Sequence, residues 1–213
     1  MKFVFPKVYP ILDSSVIPIA RRAEFLHELC GSLAEAGVTL LEYRNKSGTE
    51  EEIITDARTL RQAMPREKVK LILDDRVDLV DVVGFDGVHV DAGDMTPAAA
   101  RRLLGPDRII GTFAGSDTLL PGILAQPADY FAIGPVFATR TKQTDKPPIG
   151  VEGVWRLREQ AGHDAVLSAA AGITLETAMA VLNVGANMVA VSEAIFRAPN
   201  PAAEFRRWMD RLG

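Results

Sequence analysis

Charged side chains stand at the ends of the first four apolar segments of the sequence. They are Asp13 after the first segment, Glu42, Arg44 and Lys46 at the second, Asp74 and Asp75 at the third, and Asp91 and Asp94 after the fourth. A guanidinium and an ammonium bind phosphate oxygens, and Mg²⁺ takes one or two carboxylates together with phosphate oxygens and water. This combination predicts phosphorylated small-molecule substrates and Mg²⁺ as cofactor.

Arg44 and Lys46 alternate on an extended segment, so their side chains can point the same way from the end of a strand. A basic pair of this kind is often only a solvated surface pair. Its position in the fold decides between the two interpretations.

Asp75 and Asp94 follow neighbouring candidate strands and are the predicted metal ligands. The alternative for Asp94 is a helix cap, because it stands just ahead of Thr96-Pro97, where a helix is expected to begin.

Two later segments are predicted to contact phosphate groups. The first begins at Gly134 and runs through Thr139, Thr141 and Lys142 towards Gly150, longer than a simple turn between a strand and a helix. Its hydroxyls and ammonium could close over phosphate oxygens, the alternative being a surface loop. The second consists of Gly172 and of Val191 and Ser192, after the last two candidate strands, where backbone N–H groups often bind phosphate in barrels.

Apolar strands alternate with segments of helical period along the whole chain. The expected strands are Val8–Asp13, Thr39–Arg44, Lys70–Asp74, Gly87–Val90, Arg108–Thr112, Tyr130–Gly134, Ala165–Ala169 and Met188–Ser192. Helix signals lie between them, such as the Thr49 and Glu52 capping box. Eight such repeats predict an α/β fold, a single (β/α)8 TIM barrel spanning residues 1–213 as one domain. An open doubly wound sheet is the alternative, but no G-x-G-x-x-G follows the first strand.

Composition narrows the class of protein further. The chain has 213 residues, 47% hydrophobic and 24% charged, with a net charge of −4. The acidic balance argues against nucleic acid as a partner, and no apolar run is long enough for a membrane span. A single cysteine, Cys30, and a start without a signal-peptide pattern predict a cytoplasmic protein. A homo-oligomer is left open.

Eight segments in order resemble the thiamine-phosphate synthase family, from about Tyr9 to Ile195. They are YPILD, LEYRNKS, LILDDRVDLV, DGVHVDAGD, RIIGT, ADYFAIGPVFATRTK, SAAAGI and GANMVAVSEAI. The resemblance implies a (β/α)8 barrel that joins hydroxymethylpyrimidine diphosphate to hydroxyethylthiazole phosphate, releasing diphosphate with Mg²⁺.

The resemblance also implies roles for individual residues. The pyrimidine diphosphate would be held by Arg44, Lys46, Thr139, Thr141 and Lys142, of which Arg44, Lys46 and Lys142 stabilise the leaving diphosphate. Asp75 and Asp94 would ligate Mg²⁺. Gly172, Val191 and Ser192 would hold the thiazole phosphate.

Five positions depart from the family pattern. One is Ala171, which stands beside Gly172 where the family usually has two glycines. Glu42 replaces a usual glutamine and Asp74 a usual asparagine, and both are expected to contact substrate. After the fifth strand, Phe113 and Gly115 replace the serine and histidine of a G-x-S-x-H segment.

These departures keep two alternatives in view. One is a thiazole tautomerase, which relies on a histidine where this chain has Gly115. The other is a phosphate-binding barrel without turnover. A Schiff-base aldolase is disfavoured, because the sixth strand contains no lysine.

Overall fold

Eight parallel strands close into one barrel in the computed structural model, which describes residues 3–91, 93–139 and 146–213. The strands pair in chain order, and β8 returns to β1 through the register of Val8 with Val189. They are β1 Val8–Asp13, β2 Leu40–Arg44, β3 Lys70–Asp74, β4 Gly87–Val90, β5 Ile109–Gly115, β6 Tyr130–Ile133, β7 Leu167–Ala170 and β8 Met188–Val191. The predicted (β/α)8 barrel is confirmed.

Helices cover the outside of the barrel. They are α1 Arg22–Glu35, α2 Glu50–Ala63, α3 Val80–Val83, α4 Pro97–Leu104, α5 Gly150–Ala161, α6 Leu175–Asn183, α7 Glu193–Phe196 and α8 Pro201–Leu212. The Thr49 capping box opens α2, and the Thr96 hydroxyl accepts from the Ala99 N–H at the start of α4. Among the described helices, none is long and apolar enough to cross a membrane.

The fifth repeat differs from the expected pattern. β5 continues to Gly115, three residues beyond the predicted end at Thr112, because Phe113 and Gly115 still pair with β6 across a register shift. The connection from β5 to β6 then contains a short 3₁₀ turn, Ile123–Ala125, in place of an α-helix.

Each strand contributes to two apolar layers, since alternate side chains point to opposite faces. The outward side chains form the large core with the helices. Most inward side chains fill the barrel's interior, in a cluster of Tyr9, Leu40, Ile72, Ile109, Tyr130, Met188 and Ala190. Burial on both faces explains why the strands read as continuous apolar runs.

The Tyr130 ring fits into the barrel only because residue 111 has no side chain. A Cβ at Gly111 would overlap the phenol ring and hydroxyl of Tyr130. We therefore expect Gly111→Ala to lower the free energy of unfolding by about 2 kcal/mol, as overpacking of a rigid core does. Chemical denaturation of the wild type and the variant measures this difference in the free energy of unfolding. The control is Gly31→Ala in α1, where a Cβ meets nothing within 4 Å and helix propensity should raise stability by about 1 kcal/mol. Equal effects of both substitutions would contradict the assigned overlap.

Candidate active site at the mouth of the barrel

A cavity of about 350 Å³ opens at the carboxyl ends of the strands. Its inner part is lined by Tyr9, Glu42, His89, Tyr130, Ser168 and Ala190, and its rim by Arg44, Asp74, Asp91, Phe113, Thr139 and Lys146. Ligands bind at this end of (β/α)8 barrels, because the loops after the strands converge there. The location therefore agrees with the clustering of charged residues in the sequence.

Arg44 and Lys46 both reach the carboxylate of Asp74, as their alternation predicts. The Arg44 Nε lies 3.5 Å and the Lys46 Nζ 3.0 Å from Asp74 Oδ2. Arg44 also pairs with Asp13, and Lys46 with Asp75. Burial acts to lower the pKa of Lys46, but the charge of Asp74 and the bond to Asp75 raise it overall. Both residues are therefore held as cations at the carboxyl ends of the strands, where Arg44 lines the cavity.

Asp74 is buried beneath these two cations. Its side chain is 4% exposed, and its backbone pairs with His89 across β3 and β4. Burial raises the pKa of Asp74, while the neighbouring charges of His89 and Lys46 oppose that rise. The extra acidic charge at this position is thus balanced by side chains of the same site.

Asp75 and Asp94 form a pair of carboxylates beside Lys46. Asp75 Oδ1 is buried and has no hydrogen-bond partner among the described residues. Burial raises the pKa of Asp94, and the adjacent Asp75 carboxylate raises it further. The Asp94 carboxylate accepts from the Asp91 N–H at 3.0 Å, whereas Thr96 caps α4, so the cap interpretation of Asp94 is wrong.

The chemistry of this pair fits a hard divalent cation. The described residues contain no group of three or more His, Cys, Asp or Glu side chains that could hold a metal. Mg²⁺ needs no such group, since it commonly takes one or two carboxylates and completes its shell with water and phosphate oxygens.

The loop that carries Arg44 and Lys46 is anchored to a buried polar group outside the barrel. Asn45 Nδ2 donates to the Tyr43 hydroxyl at 3.1 Å, and Asn45 Oδ1 accepts from the Gly48 N–H at 2.8 Å. The Tyr43 hydroxyl in turn donates to Asp56 of α2. Because these bonds join β2 to α2, they fix the loop between them.

Removing the anchor should loosen the two cations. We expect Asn45→Ala to cost about 1 kcal/mol of stability, as the loss of a partly buried hydrogen bond does. If the loop also positions the cations, KM for the phosphorylated substrate that Arg44 is predicted to bind should rise more than kcat falls. Steady-state kinetics and denaturation of the same variant test this. The control is Thr59→Ala, whose hydroxyl bonds only within α2. A similar KM for both variants would remove the positioning role.

A second cavity of about 380 Å³ adjoins the first above β7 and β8. Gly172, Val191 and Ser192 line it, and Arg44 and Thr139 line both cavities. The Ser192 Oγ is buried and makes no hydrogen bond within the described chain. Gly172 has φ +67°, and a Cβ there would overlap the Ala138 carbonyl oxygen. The predicted phosphate-binding residues therefore meet at one place, with a hydroxyl available to a ligand.

A hydrogen-bonded chain crosses the inside of the barrel beneath the first cavity. The Tyr9 hydroxyl donates to Glu42 Oε2 at 2.6 Å and lies 2.8 Å from the Tyr130 hydroxyl. The Tyr130 hydroxyl lies 3.1 Å from His89 Nδ1. Burial raises the pKa of Glu42 to about 7.

His89 completes this chain as a buried residue of β4. Its Nε2 lies 3.8 Å from Asp91 Oδ1. Burial acts to lower the pKa of His89, but the bond to Asp91 and the charges of Glu42 and Asp74 raise it. The sequence analysis did not identify Tyr9, Tyr130 or Ser168 as site residues. Each is a polar residue within an apolar strand, and the sequence alone does not distinguish such a residue from an ordinary core residue.

Two predicted residues, Thr141 and Lys142, lie outside the described residues. Thr139 lies at the junction of the two cavities. Ser116, near the position where the family has its serine, donates to the Gly134 carbonyl at 2.8 Å. Phe113 occupies the position of the family's serine, and the Lys146 Nζ lies 4.5 Å from the centroid of its ring.

Comparisons with known proteins agree with this geometry. The sequence profile of the thiamine monophosphate synthase family matches residues 8–195. The chain belongs to this family. It is 37% identical over 201 residues to the thiamine-phosphate synthase of Koribacter versatilis, covering 94% of each chain. It is 39% identical over 206 residues to that of Agrobacterium fabrum, covering 94% of this chain and 92% of the relative.

A solved structure of the same family has the same fold. The thiamine phosphate pyrophosphorylase of Pyrococcus furiosus superimposes with a TM-score of 0.76 at 27% identity, covering 97% of this chain and 95% of that one. The predicted membership of the thiamine-phosphate synthase family is confirmed, and so is the predicted class of enzyme, a transferase of thiamine biosynthesis.

Proposed function

We propose that the chain couples hydroxymethylpyrimidine diphosphate to hydroxyethylthiazole phosphate in a Mg²⁺-dependent reaction, giving thiamine phosphate and diphosphate. One observation carries the proposal: two cavities adjoin at the barrel mouth, one below paired cations and carboxylates, the other around the buried Ser192 hydroxyl. Two phosphorylated substrates could therefore lie side by side, with their reacting ends at the junction.

The residues of the first cavity are proposed to hold the pyrimidine diphosphate. Arg44 and Lys46 exchange their bonds to Asp74 and Asp75 for diphosphate oxygens, and Thr139 lies where the diphosphate reaches the second cavity. Thr141 and Lys142 are proposed as further contacts from the sequence resemblance. Asp75 and Asp94 would hold Mg²⁺, which when bound neutralises charge on the leaving diphosphate.

The reaction breaks the bond between the pyrimidine methylene carbon and the diphosphate oxygen, and the bonding electrons leave with diphosphate. Arg44 and Lys46 stabilise the negative charge that develops on that oxygen. The positive charge left on the pyrimidine lies among the walls of the first cavity, above Glu42. The thiazole nitrogen, positioned by its phosphate at Gly172, Val191 and Ser192, then supplies the electron pair of the new C–N bond. The chain's own groups need transfer no proton in these two steps.

The direct test is diphosphate release by purified protein given both substrates and Mg²⁺, with EDTA as control and thiamine phosphate measured in parallel. Metal-dependent release matched by thiamine phosphate is the expected result. Binding of thiazole phosphate without any release would instead support the phosphate-binding barrel without turnover.

Ser192→Ala should separate the two substrate sites. The Ser192 hydroxyl is buried and has no hydrogen-bond partner in the described part of the chain, so its loss should remove a ligand bond and little else. We expect KM for thiazole phosphate to rise about tenfold, the worth of one hydrogen bond to a charged group, with KM for pyrimidine diphosphate unchanged. Unchanged thiazole-phosphate affinity would place that phosphate elsewhere.

Four broader proposals accompany this function. Residues 1–213 act as one domain, supported by the single closed barrel. A cytoplasmic location is supported by the single cysteine, which is buried. The net charge of −4 supports small phosphorylated molecules as partners and disfavours nucleic acid and membrane surfaces. A homo-oligomer remains a prediction, which light scattering tests by measuring the molar mass of the protein in solution.

A further inference from the structure

Glu42 is a carboxyl group fixed inside the barrel. It is 3% exposed, and Tyr9 donates a 2.6 Å hydrogen bond to its Oε2. Within the described chain, Tyr9 is its only hydrogen-bond donor. Glu42 nevertheless lines the cavity, so part of the carboxyl remains available to a ligand.

Ser168 presents a second polar group to the same cavity. It lies on β7, is 1% exposed, and its Oγ has no hydrogen-bond partner in the described ranges. Its neighbours on the cavity wall are small and apolar, namely Ala132, Ala170 and Ala190. A buried hydroxyl without a partner is costly, which makes a ligand atom the natural partner for it.

We propose that Glu42 and Ser168 recognise two edges of the pyrimidine ring, with Glu42 acting as a neutral carboxylic acid that brings one proton into the complex. The inference rests on the proposed function and concerns a position, Glu42, where the family usually has a glutamine. Its chemical basis is the aminopyrimidine itself. That ring has an amino group next to a ring nitrogen, a donor beside an acceptor.

A carboxyl group matches such an edge only when it is protonated. The O–H then donates to the ring nitrogen and the C=O accepts from the amino group, as the N–H and C=O of a glutamine would. An ionised carboxylate can accept only, and it would face the lone pair of the ring nitrogen. Glutamate can therefore make the same two hydrogen bonds as glutamine here, provided that its carboxyl group carries one proton.

The surroundings of Glu42 favour the neutral form. The titratable and charged groups that face it are Tyr9 on β1, Arg44 on β2, Asp74 on β3, His89 on β4 with Asp91 after it, and Tyr130 on β6. Burial and the charges of Asp74 and Asp91 raise the pKa of Glu42, against the opposing charge of His89 and the bond from Tyr9. Tyr9 is held in turn by Tyr130, which fixes the plane of the carboxyl.

The first experiment is the pH dependence of kcat/KM for pyrimidine diphosphate at saturating Mg²⁺ and thiazole phosphate. This ratio reports groups of the free enzyme. With the pKa of Glu42 at about 7, the wild-type value should fall about thirtyfold between pH 6 and pH 8.5, relative to Glu42→Gln measured identically. Parallel profiles for the two proteins would overturn the proposal.

Ser168→Ala gives the second readout, with Ser192→Ala as the matched control. Ser168→Ala should raise KM for pyrimidine diphosphate about tenfold and keep the wild-type pH profile, whereas Ser192→Ala should affect thiazole phosphate alone. An unchanged KM for pyrimidine diphosphate would remove Ser168 from the site.

A binding measurement on the wild-type protein needs no variant and no turnover. Calorimetry with hydroxymethylpyrimidine, the alcohol without diphosphate, is run at pH 8.5 in two buffers of different ionisation enthalpy. We expect uptake of about one proton for each ring bound, and binding without proton uptake would overturn the proposal. Proton uptake without diphosphate release in the coupled assay would instead contradict the synthase function and leave the recognition of the ring standing.

Discussion

Asp75→Asn is expected to lower kcat for diphosphate release about 10²- to 10³-fold, the usual effect of removing one group that stabilises charge in a transition state. The Asp75 carboxylate stands between Lys46 and Asp94, and its Oδ1 is buried without a partner in the described chain. An amide in its place leaves Asp94 as the one carboxylate proposed to bind Mg²⁺, and the apparent Mg²⁺ requirement should rise with the loss of turnover.

Asparagine is the informative replacement because of the backbone at this position. Asp75 has φ +63°, a left-handed conformation that asparagine and aspartate adopt more readily than other residues with a side chain. Its N–H also donates to the His89 carbonyl at 2.8 Å, and asparagine keeps that bond. Asp75→Ala would add backbone strain to the loss of the carboxylate, so the two effects would be mixed.

Metal binding can be measured apart from activity. Titration with Mn²⁺, followed by its paramagnetic signal, should show weaker binding for Asp75→Asn and for Asp94→Asn. Asp81→Asn is the control, since Asp81 pairs with Arg108 away from the barrel mouth. Wild-type Mn²⁺ affinity in Asp75→Asn, or a wild-type kcat at low Mg²⁺, would exclude Asp75 as a metal ligand.

The sequence predicts the barrel well because its signal is repeated. Each strand is a short apolar run, and the charged residues at the rim of the site stand at or shortly after the end of such a run, as Asp13 and Asp75 do. Parallel strands place all those ends at one edge, so Lys46 and Asp75 meet although 29 positions separate them. Local patterns of this kind need no knowledge of side-chain packing.

The inner half of the site cannot be predicted in the same way. Tyr9 and Tyr130 stand in apolar strands and look like ordinary core residues. Their hydroxyls meet at 2.8 Å only because the barrel closes and Gly111 leaves room for the Tyr130 ring. The sequence pattern places the end of β5 too early for a similar reason, since the last pairing of β5 with β6 follows a register shift between Phe113 and Gly115. These features depend on contacts between strands, which no local pattern contains.

Glu42→Gln should stabilise the protein, and the gain should grow with pH. Burial raises the pKa of Glu42 from 4.5 to about 7 on folding. A carboxyl with a raised folded-state pKa contributes stability that is fully present below the unfolded pKa and is lost as pH rises through the folded value. Glutamine does not titrate, so the wild type alone loses this free energy.

The size of the effect follows from the same shift. Each pKa unit corresponds to about 1.4 kcal/mol. The free energy of unfolding of Glu42→Gln should therefore exceed that of the wild type by about 3 kcal/mol at pH 8.5 and by about 1 kcal/mol at pH 5. Urea denaturation of both proteins at the two pH values measures the difference, with Glu51→Gln, an exposed carboxyl of α2, as control. A gap between wild type and Glu42→Gln that does not change with pH would mean that Glu42 ionises in the folded barrel as easily as in the unfolded chain. Glutamate and glutamine can both accept the hydrogen bond from Tyr9, so that bond would not explain such a result. A neighbouring positive charge would then have to compensate the charge of Glu42. His89, which bonds to the other side of Tyr130, is the residue to replace next.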